Sequence, residues 1–490
     1  MSVPVRSISL LLITVAVGIG VGRILSAERM IEPSAHRAPG ETSGKRIWPV
    51  ERPLPMPTFS SNDISRWATV RALVDDGTYV VGERLAQPSA DGKPYTDVGI
   101  ISENGWKTID LVLHPDKQVF YSTKPPLLST LVAGLYWLLK TLFGWTLTTR
   151  PFAVVRTILL LVNALPFAIY LVMLDRWLER FTVNSWTRLA ILGMAAFGTL
   201  VTPFMITFNN HNIATYCVLF ALDAVLKIWW AGTRHAPLKA RHFLRAGLFA
   251  AFAAANELPA LAFAAATIAL LLYLSAARSL LFAIPPALVV ALGFFGTNYL
   301  AVEQWRPAYS EFGGPWYEYE GSNWTKPKEG EEKKKTGIDW ARHHETRAEY
   351  ALHLLVGHHG LFSLTPIWFL AMLAFFHRPA LDRTLPAHDP PWFLPWLTAA
   401  LTVVVVGFYL VRSDNYGGWS NGPRWLMWLS PLWLLTMIPV VDRLAATARG
   451  RAIVYVLIAI SVVSAHYSLT NPWRMPWIYD LMLACGWRGY

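Results

Sequence analysis

The sequence predicts an all-α polytopic membrane protein with about eleven transmembrane helices. Three observations predict it. Of the 490 residues, 54% are hydrophobic and only 15% are charged. Mean hydropathy is +0.34. Apolar runs near spanning length recur along the chain, with arginine and lysine gathered in the short segments between them. A formal charge of +11 would suggest nucleic acid in a soluble chain. Here the excess sits between apolar runs and reads as a positive-inside bias, so no nucleic-acid partner is expected. The 23 tryptophans, many near the ends of apolar runs, fit interfacial belts. Cys217 and Cys485 supply no disulfide or metal framework. Cys217 lies in an apolar run and reads as a small buried residue.

The elements follow in order. Residues 8–25 form a first span, preceded by Arg6 and read as an uncleaved anchor rather than a removed signal. A long polar region follows. It opens with PVERPLPMPTF and becomes helical near SNDISRWATVRALVDDG, where Asn62 and Asp63 are plausible caps. The run LLSTLVAGLYWLLKTLF, 127–143, carries Lys140 and is short for a crossing. It is expected to lie on the outer membrane face as an amphipathic helix. Crossings are expected at 152–174, 189–207 and 213–230. Residues 243–277 read as two helices meeting at ANELP, a broken helix of the kind that lines a protein cavity. Further crossings are expected at 280–300, 361–376, 393–411, 425–441 and 452–467. The resulting organisation is a module over 1–300 with an external loop at 26–150, an external polar loop at 301–360, and C-terminal helices over 361–490. On this parity Asp63, Lys124, the NNHN stretch, Asn256–Glu257 and the NYGGWSNGPR loop share one side. A one-sided set of polar loops suggests an active site facing the exterior or periplasm.

Two stretches carry a family likeness. DISRWATVRALVDDGTYVV, followed by YSTKPPLLSTLVAGLYWLLKTLFG, resembles the start of the GT-C glycosyltransferases. The likeness is to the protein O-mannosyltransferase and lipid A aminoarabinose transferase superfamily, and covers roughly residues 60–145. The resemblance implies a GT-C-like helical fold with juxtamembrane helices in the first external loop. It also implies transfer of a sugar from a polyprenyl-phosphate-linked donor on the outer face of a cell membrane, a bacterial inner membrane being expected. The acceptor would be a glycan, lipid or protein. No cofactor or metal is implied. Asp63 takes the place of the catalytic carboxylate, Arg66 that of a nearby arginine, and Lys124 that of a lysine near the lipid phosphate. Where the family often has an Asp-Glu pair, this chain has Asp63-Ile64.

Such a transfer needs a base for the acceptor proton, cations for the departing phosphate and a groove for the lipid. Asp63 suits the first role, although a helix cap is its simpler reading. Lys124 and Arg66 suit the second. Pro125 and Pro126 would hold the lysine at the interface and start a helix, while a snorkelling lysine is the simpler reading. Asn209, Asn210, His211 and Asn212 are either sugar-binding groups or a capped turn. Glu257 is a carboxylate at the tip of a helix pair, able to replace the absent glutamate as catalyst or to pair structurally. Arg424, after Gly422 and Pro423, is a second phosphate ligand or part of a tight turn. His343, His344, His353, His358 and His359 show no strong zinc spacing, and no metal is assigned. The lysine-glutamate run at 326–335 reads as a solvated loop. The alternative function is a transporter or flippase of a lipid-linked precursor, whose cue would be Arg156, Asp175 and Asp223 in or near the spans.

Overall fold

The computed structural model describes residues 4–29, 54–89, 92–308, 314–324, 345–376, 391–413 and 415–487, with four two-residue strands at 36–37, 46–47, 335–336 and 339–340. The run at 326–335, apart from the backbone of Lys335, and His343 and His344 lie outside these residues. Among the described residues, eight helices are long and apolar enough to cross a membrane, or nine if the bent pair Arg424–Thr436 and Ile438–Ala445 is one span. The protein is a multi-pass membrane protein; among the described residues fewer helices pass as spans than the expected eleven, and Leu258–Val302, at 45 residues, is counted as one. Part of the difference is at 361–376. That run forms two short helices, Leu361–Leu364 and Trp368–Leu373, rather than one span. Pro366 and Thr365 interrupt it, since proline brings no N–H and restricts the residue before it.

The chain divides into two compact units. One comprises 1–22, 160–296 and 331–490; the other comprises 23–159 and 297–330.

The larger unit is helical. Its centre is the helix Asn210–Thr233, with most of its side chains buried. The expected break at ANELP is present. Helix Ala240–Asn256 stops, Glu257 is extended, a 3-10 turn spans Leu258–Ala260, and helix Leu261–Arg278 begins. Pro259 explains the stop. A broken end exposes carbonyls that lipid cannot satisfy. The Asn210 amide supplies a donor, 2.8 Å from Asn256 O. Helix Ala240–Asn256 also runs against backbone at Gly247, where an added Cβ would stand 2.0 Å from Ala283 O. Backbone cannot rotate away as a side chain would. Gly247→Ala should therefore cost about 1–3 kcal/mol, read as a lower thermal midpoint in detergent; an unchanged midpoint would refute the close packing.

The transporter cues are all engaged structurally. Arg188 forms a two-pronged contact with Asp175 at 2.8 and 2.7 Å. Asp223 accepts from Trp177 Nε1, Lys227 and Arg245. In the smaller unit, Arg156 donates to Ala27 O at 3.0 Å. Cys217 is buried, as expected.

The smaller unit joins helices to a feature absent from the sequence reading. Helix Ser61–Asp75 and helix Pro126–Phe143 pack beside a four-stranded antiparallel sheet. Its strand order is Thr96–Val98, Gly82–Leu85, Val119–Ser122, Leu111–Leu113. Val112 and Tyr121 pack on Ala301, Val302, Trp316 and Tyr317. Arg84 lies 3.7 Å over the Tyr95 ring and pairs with Asp97 at 2.7 Å. Burial pushes the neighbouring Tyr319 phenol up to about 12. The two helices are tied by Lys140, whose Nζ is 2.7 Å from Asp75 Oδ1, so the lysine inside the 127–143 run has a structural partner.

Candidate functional site

The helix Ser61–Asp75 is capped by Ser60, whose Oγ accepts from Asp63 N at 3.3 Å. Asp63 reaches back, its Oδ2 accepting from Phe59 N at 2.9 Å. The cap is therefore Ser60 rather than Asn62 or Asp63. Asp63 completes a reciprocal arrangement of the capping-box kind. Its side chain is fully buried. Burial pulls the Arg29 guanidinium below its ordinary range, while the Asp63 charge draws it back up. Arg66 is also buried and donates from Nε to Asn62 Oδ1 at 3.3 Å.

Lys124 is placed by the sheet. The strands Leu111–Leu113 and Val119–Ser122 pair in a register that sets Leu111 against Ser122. One step further along the same ladder, Thr123 N donates to Asp110 O at 3.1 Å. Lys124 then meets the Asp110 carboxylate, Nζ to Oδ1 at 3.0 Å. Ser65 links this junction to the helix that carries Asp63. Its Oγ donates to Asp110 O at 2.8 Å and lies 2.5 Å from Ser122 Oγ. Asp110 is the residue that sequence reasoning missed. The signal was present in LVLHPDKQVFY, two short apolar, β-prone runs on either side of a turn, which reads as a hairpin and implies the register.

Lys124 lines a small open cleft. Ser122, Thr123 and Asn298 contribute polar groups to its wall, and Tyr79, Tyr121 and Val302 contribute apolar surface. Pro125 and Pro126 form one edge and begin the helix Pro126–Phe143. That helix has a buried face and an exposed apolar face, which includes Leu131, Trp137, Leu138, Leu142 and Phe143. Lys124 therefore stands just before a helix whose first turn is buried and whose exposed apolar face begins at Leu131.

The larger unit holds a second polar cluster. Asn209 caps helix Asn210–Thr233 by accepting from Asn212 N at 2.9 Å, and its amide donates to Phe204 O and Thr207 O. The Asn212 amide donates to Val201 O at 3.2 Å. Asn210 donates to Glu257 Oε1 at 2.5 Å. His211 contacts Glu257 through Nδ1, and its Nε2 lies 2.9 Å from Arg424 Nη1. A neutral imidazole protonated on Nδ1 satisfies both contacts, donating to the carboxylate and accepting from the guanidinium. Arg424 also donates from Nε to Gly417 O at 3.1 Å and lies 4.7 Å over the Trp473 ring. Gly417 has φ +92°, a backbone open to glycine, which lets the loop turn its carbonyl toward the arginine. The structure thus brings Glu257, His211, Asn210 and Arg424 into one chain of charge-assisted contacts. Such a chain fixes the four side chains relative to one another. Asn209 and Asn212 serve the backbone.

No protein-family model matches the chain, and no curated protein matches it in sequence. Among solved structures it is similar to the archaeal oligosaccharyltransferase AglB from Archaeoglobus fulgidus, solved in complex with an inhibitory peptide and a dolichol-phosphate. That likeness has a TM-score of 0.45 at 11% sequence identity. It covers 97% of this chain and 57% of the other, so this chain spans little more than half of that enzyme's length.

Proposed function

We propose that the protein transfers a sugar from a polyprenyl-phosphate-linked donor to an acceptor at the external face of the membrane. The observation that carries this reading is the position of Lys124, at the wall of the cleft and just before helix Pro126–Phe143, which carries an exposed apolar face from Leu131 onward. A phosphate on an isoprenoid chain has the matching form, an anion attached to an extended apolar tail. The likeness of residues 60–145 to GT-C glycosyltransferases supports the same reading. In the proposed reaction the acceptor hydroxyl or amine gives its proton to the Asp63 carboxylate. The acceptor atom bonds to the anomeric carbon as the bond from that carbon to the phosphate oxygen breaks. The electron pair leaves with the polyprenyl phosphate, whose charge Lys124 and Arg66 stabilise.

The test is direct binding. Purified protein should bind a short-chain polyprenyl phosphate, and the corresponding uncharged alcohol should compete for it poorly. Equal affinity for phosphate and alcohol, or no binding of either, would refute the donor class.

A further inference from the structure

Glu345, His353 and His358 offer ligand atoms that all lie within 4.8 Å of one another. Local structure brings them there. A capping box between Thr346 and Glu349 starts the helix Arg347–Leu355, and His353 falls in its last turn. The chain then folds back at Gly357. A Cβ there would stand 2.3 Å from His353 Nδ1 and 2.7 Å from His353 Cα, so only glycine lets this turn pass over the imidazole. The turn lays His358 on His353, with ring centroids 4.1 Å apart and planes 17° from parallel. His359 follows, its Nδ1 2.5 Å from that of His358, and both of these histidines are buried. The Tyr416 hydroxyl donates to Glu345 Oε2. The Tyr416 ring stacks on His359 at 4.7 Å, and Tyr479 meets His358 edge-on.

Two imidazoles and a carboxylate are a donor set of borderline softness, suited to zinc and neighbouring divalent metals. Donors about 2.0–2.1 Å from a tetrahedral ion stand roughly 3.4 Å apart. The cluster therefore needs a contraction of only about 1.5 Å by this measure. Glu345 and His353 are half-buried, Glu345 just before the short helix Arg347–Leu355 and His353 in its last turn, and binding would turn the His353 ring out of its stack on His358 so that both lone pairs converge. Tyr416 holds the carboxylate from behind, as outer partners of metal ligands do.

We propose that Glu345, His353 and His358 bind a divalent transition-metal ion, zinc being the best match, with a fourth position left open. The site lies outside the proposed transfer chemistry and acts by position. Arg347 Nη1 donates to Ser413 O at 2.7 Å, and Tyr350 Oη to Asn415 O at 3.2 Å. Asn415 Oδ1 accepts from Gly417 N and Gly418 N, and Gly417 O accepts from Arg424 Nε. An ion at Glu345 thus fixes Tyr416 and the loop that holds Arg424. The sequence spacing hid the site, because Glu345 precedes the helix Arg347–Leu355, His353 lies in its last turn and His358 beyond it.

The test uses full-length, tag-free protein in detergent, stripped with a chelator and reloaded with Zn²⁺ or Co²⁺. Wild-type protein should take up about one ion per chain, and the Co²⁺ form should show the visible bands of a four-coordinate site. Glu345→Gln and His353→Gln should each lower zinc affinity by about a hundredfold or more, and Tyr416→Phe by roughly tenfold. His358→Gln should match the first two if it remains monodisperse. Glu345→Gln, at a half-buried position, carries the same reading if it does not. Loaded wild-type protein with less than about a tenth of an ion per chain would overturn the site. So would zinc affinity unchanged in Glu345→Gln and His353→Gln, since the ion would then sit elsewhere.

Discussion

Asp63→Asn should lower sugar transfer by about a hundredfold or more while the protein stays folded. The carboxylate has two separable roles. As an acceptor it receives Phe59 N and helps close the first turn of helix Ser61–Asp75. As an anion it faces Arg29 and, in the proposed reaction, takes the acceptor proton. Asparagine keeps an oxygen at the same place, so the first role largely survives. A weakened cap costs about 0.5–2 kcal/mol at most. The charge and the basicity are lost entirely. Asp63→Ala removes both roles, and should lower the thermal midpoint as well as the rate. Comparing the two variants in membranes supplied with lipid-linked sugar separates folding from chemistry. Near-wild-type turnover in Asp63→Asn would exclude Asp63 as the base. Glu257 would then be the next carboxylate to test, through Glu257→Gln, because it already shares a contact with His211.

Legibility in the sequence followed the range of the interactions. Features set by local physics were readable. Apolar length located the spans at 8–25, 213–230 and 393–411, which correspond to helices Val5–Ser26, Asn210–Thr233 and Phe393–Arg412. Pro259 marked the broken helix at ANELP, and the proline pair marked the start of helix Pro126–Phe143. Pro366 inside 361–376 is masked by the apolar residues around it, which read as one span. Polar residues were harder to place. Asn209 was open between cap and ligand, and only the structure shows its amide spent on backbone. Partners distant in sequence left no mark. Nothing near Lys140 names Asp75, and nothing near His211 names Glu257 or Arg424. Asp110 is the intermediate case. Its partner is a hairpin away, and hairpin register is a local property that a helix-centred reading of the segment ignored.

Lys124→Ala should weaken polyprenyl phosphate binding by roughly tenfold to a hundredfold, the equivalent of a charge-assisted contact of about 1.5–3 kcal/mol. Asp110 makes that single variant ambiguous. It is nearly buried, with its carboxylate 3.0 Å from Lys124 Nζ. Removing the lysine leaves a desolvated carboxylate without this cation, which costs stability whatever Lys124 does for lipid. The double variant Lys124→Ala with Asp110→Asn resolves the ambiguity, because it removes the stranded charge along with its partner. Its thermal midpoint should recover toward wild type, while its lipid affinity should stay low. Asp110→Asn alone carries a prediction of opposite sign. Asp110 competes with a phosphate for the same ammonium and repels it as a like charge. Neutralising Asp110 should therefore strengthen phosphate binding, by about threefold to tenfold for a partly exposed pair. Lys124→Arg should restore binding only in part, because a planar fork at the Lys124 position reaches the cleft differently from a compact ammonium. If Lys124 serves only to anchor the sheet to the helix, all of these changes appear in the midpoint and none in the affinity. An Asp110→Asn protein that binds polyprenyl phosphate no more tightly than wild type, beside a double variant that binds it equally well, would reduce Lys124 to that structural role.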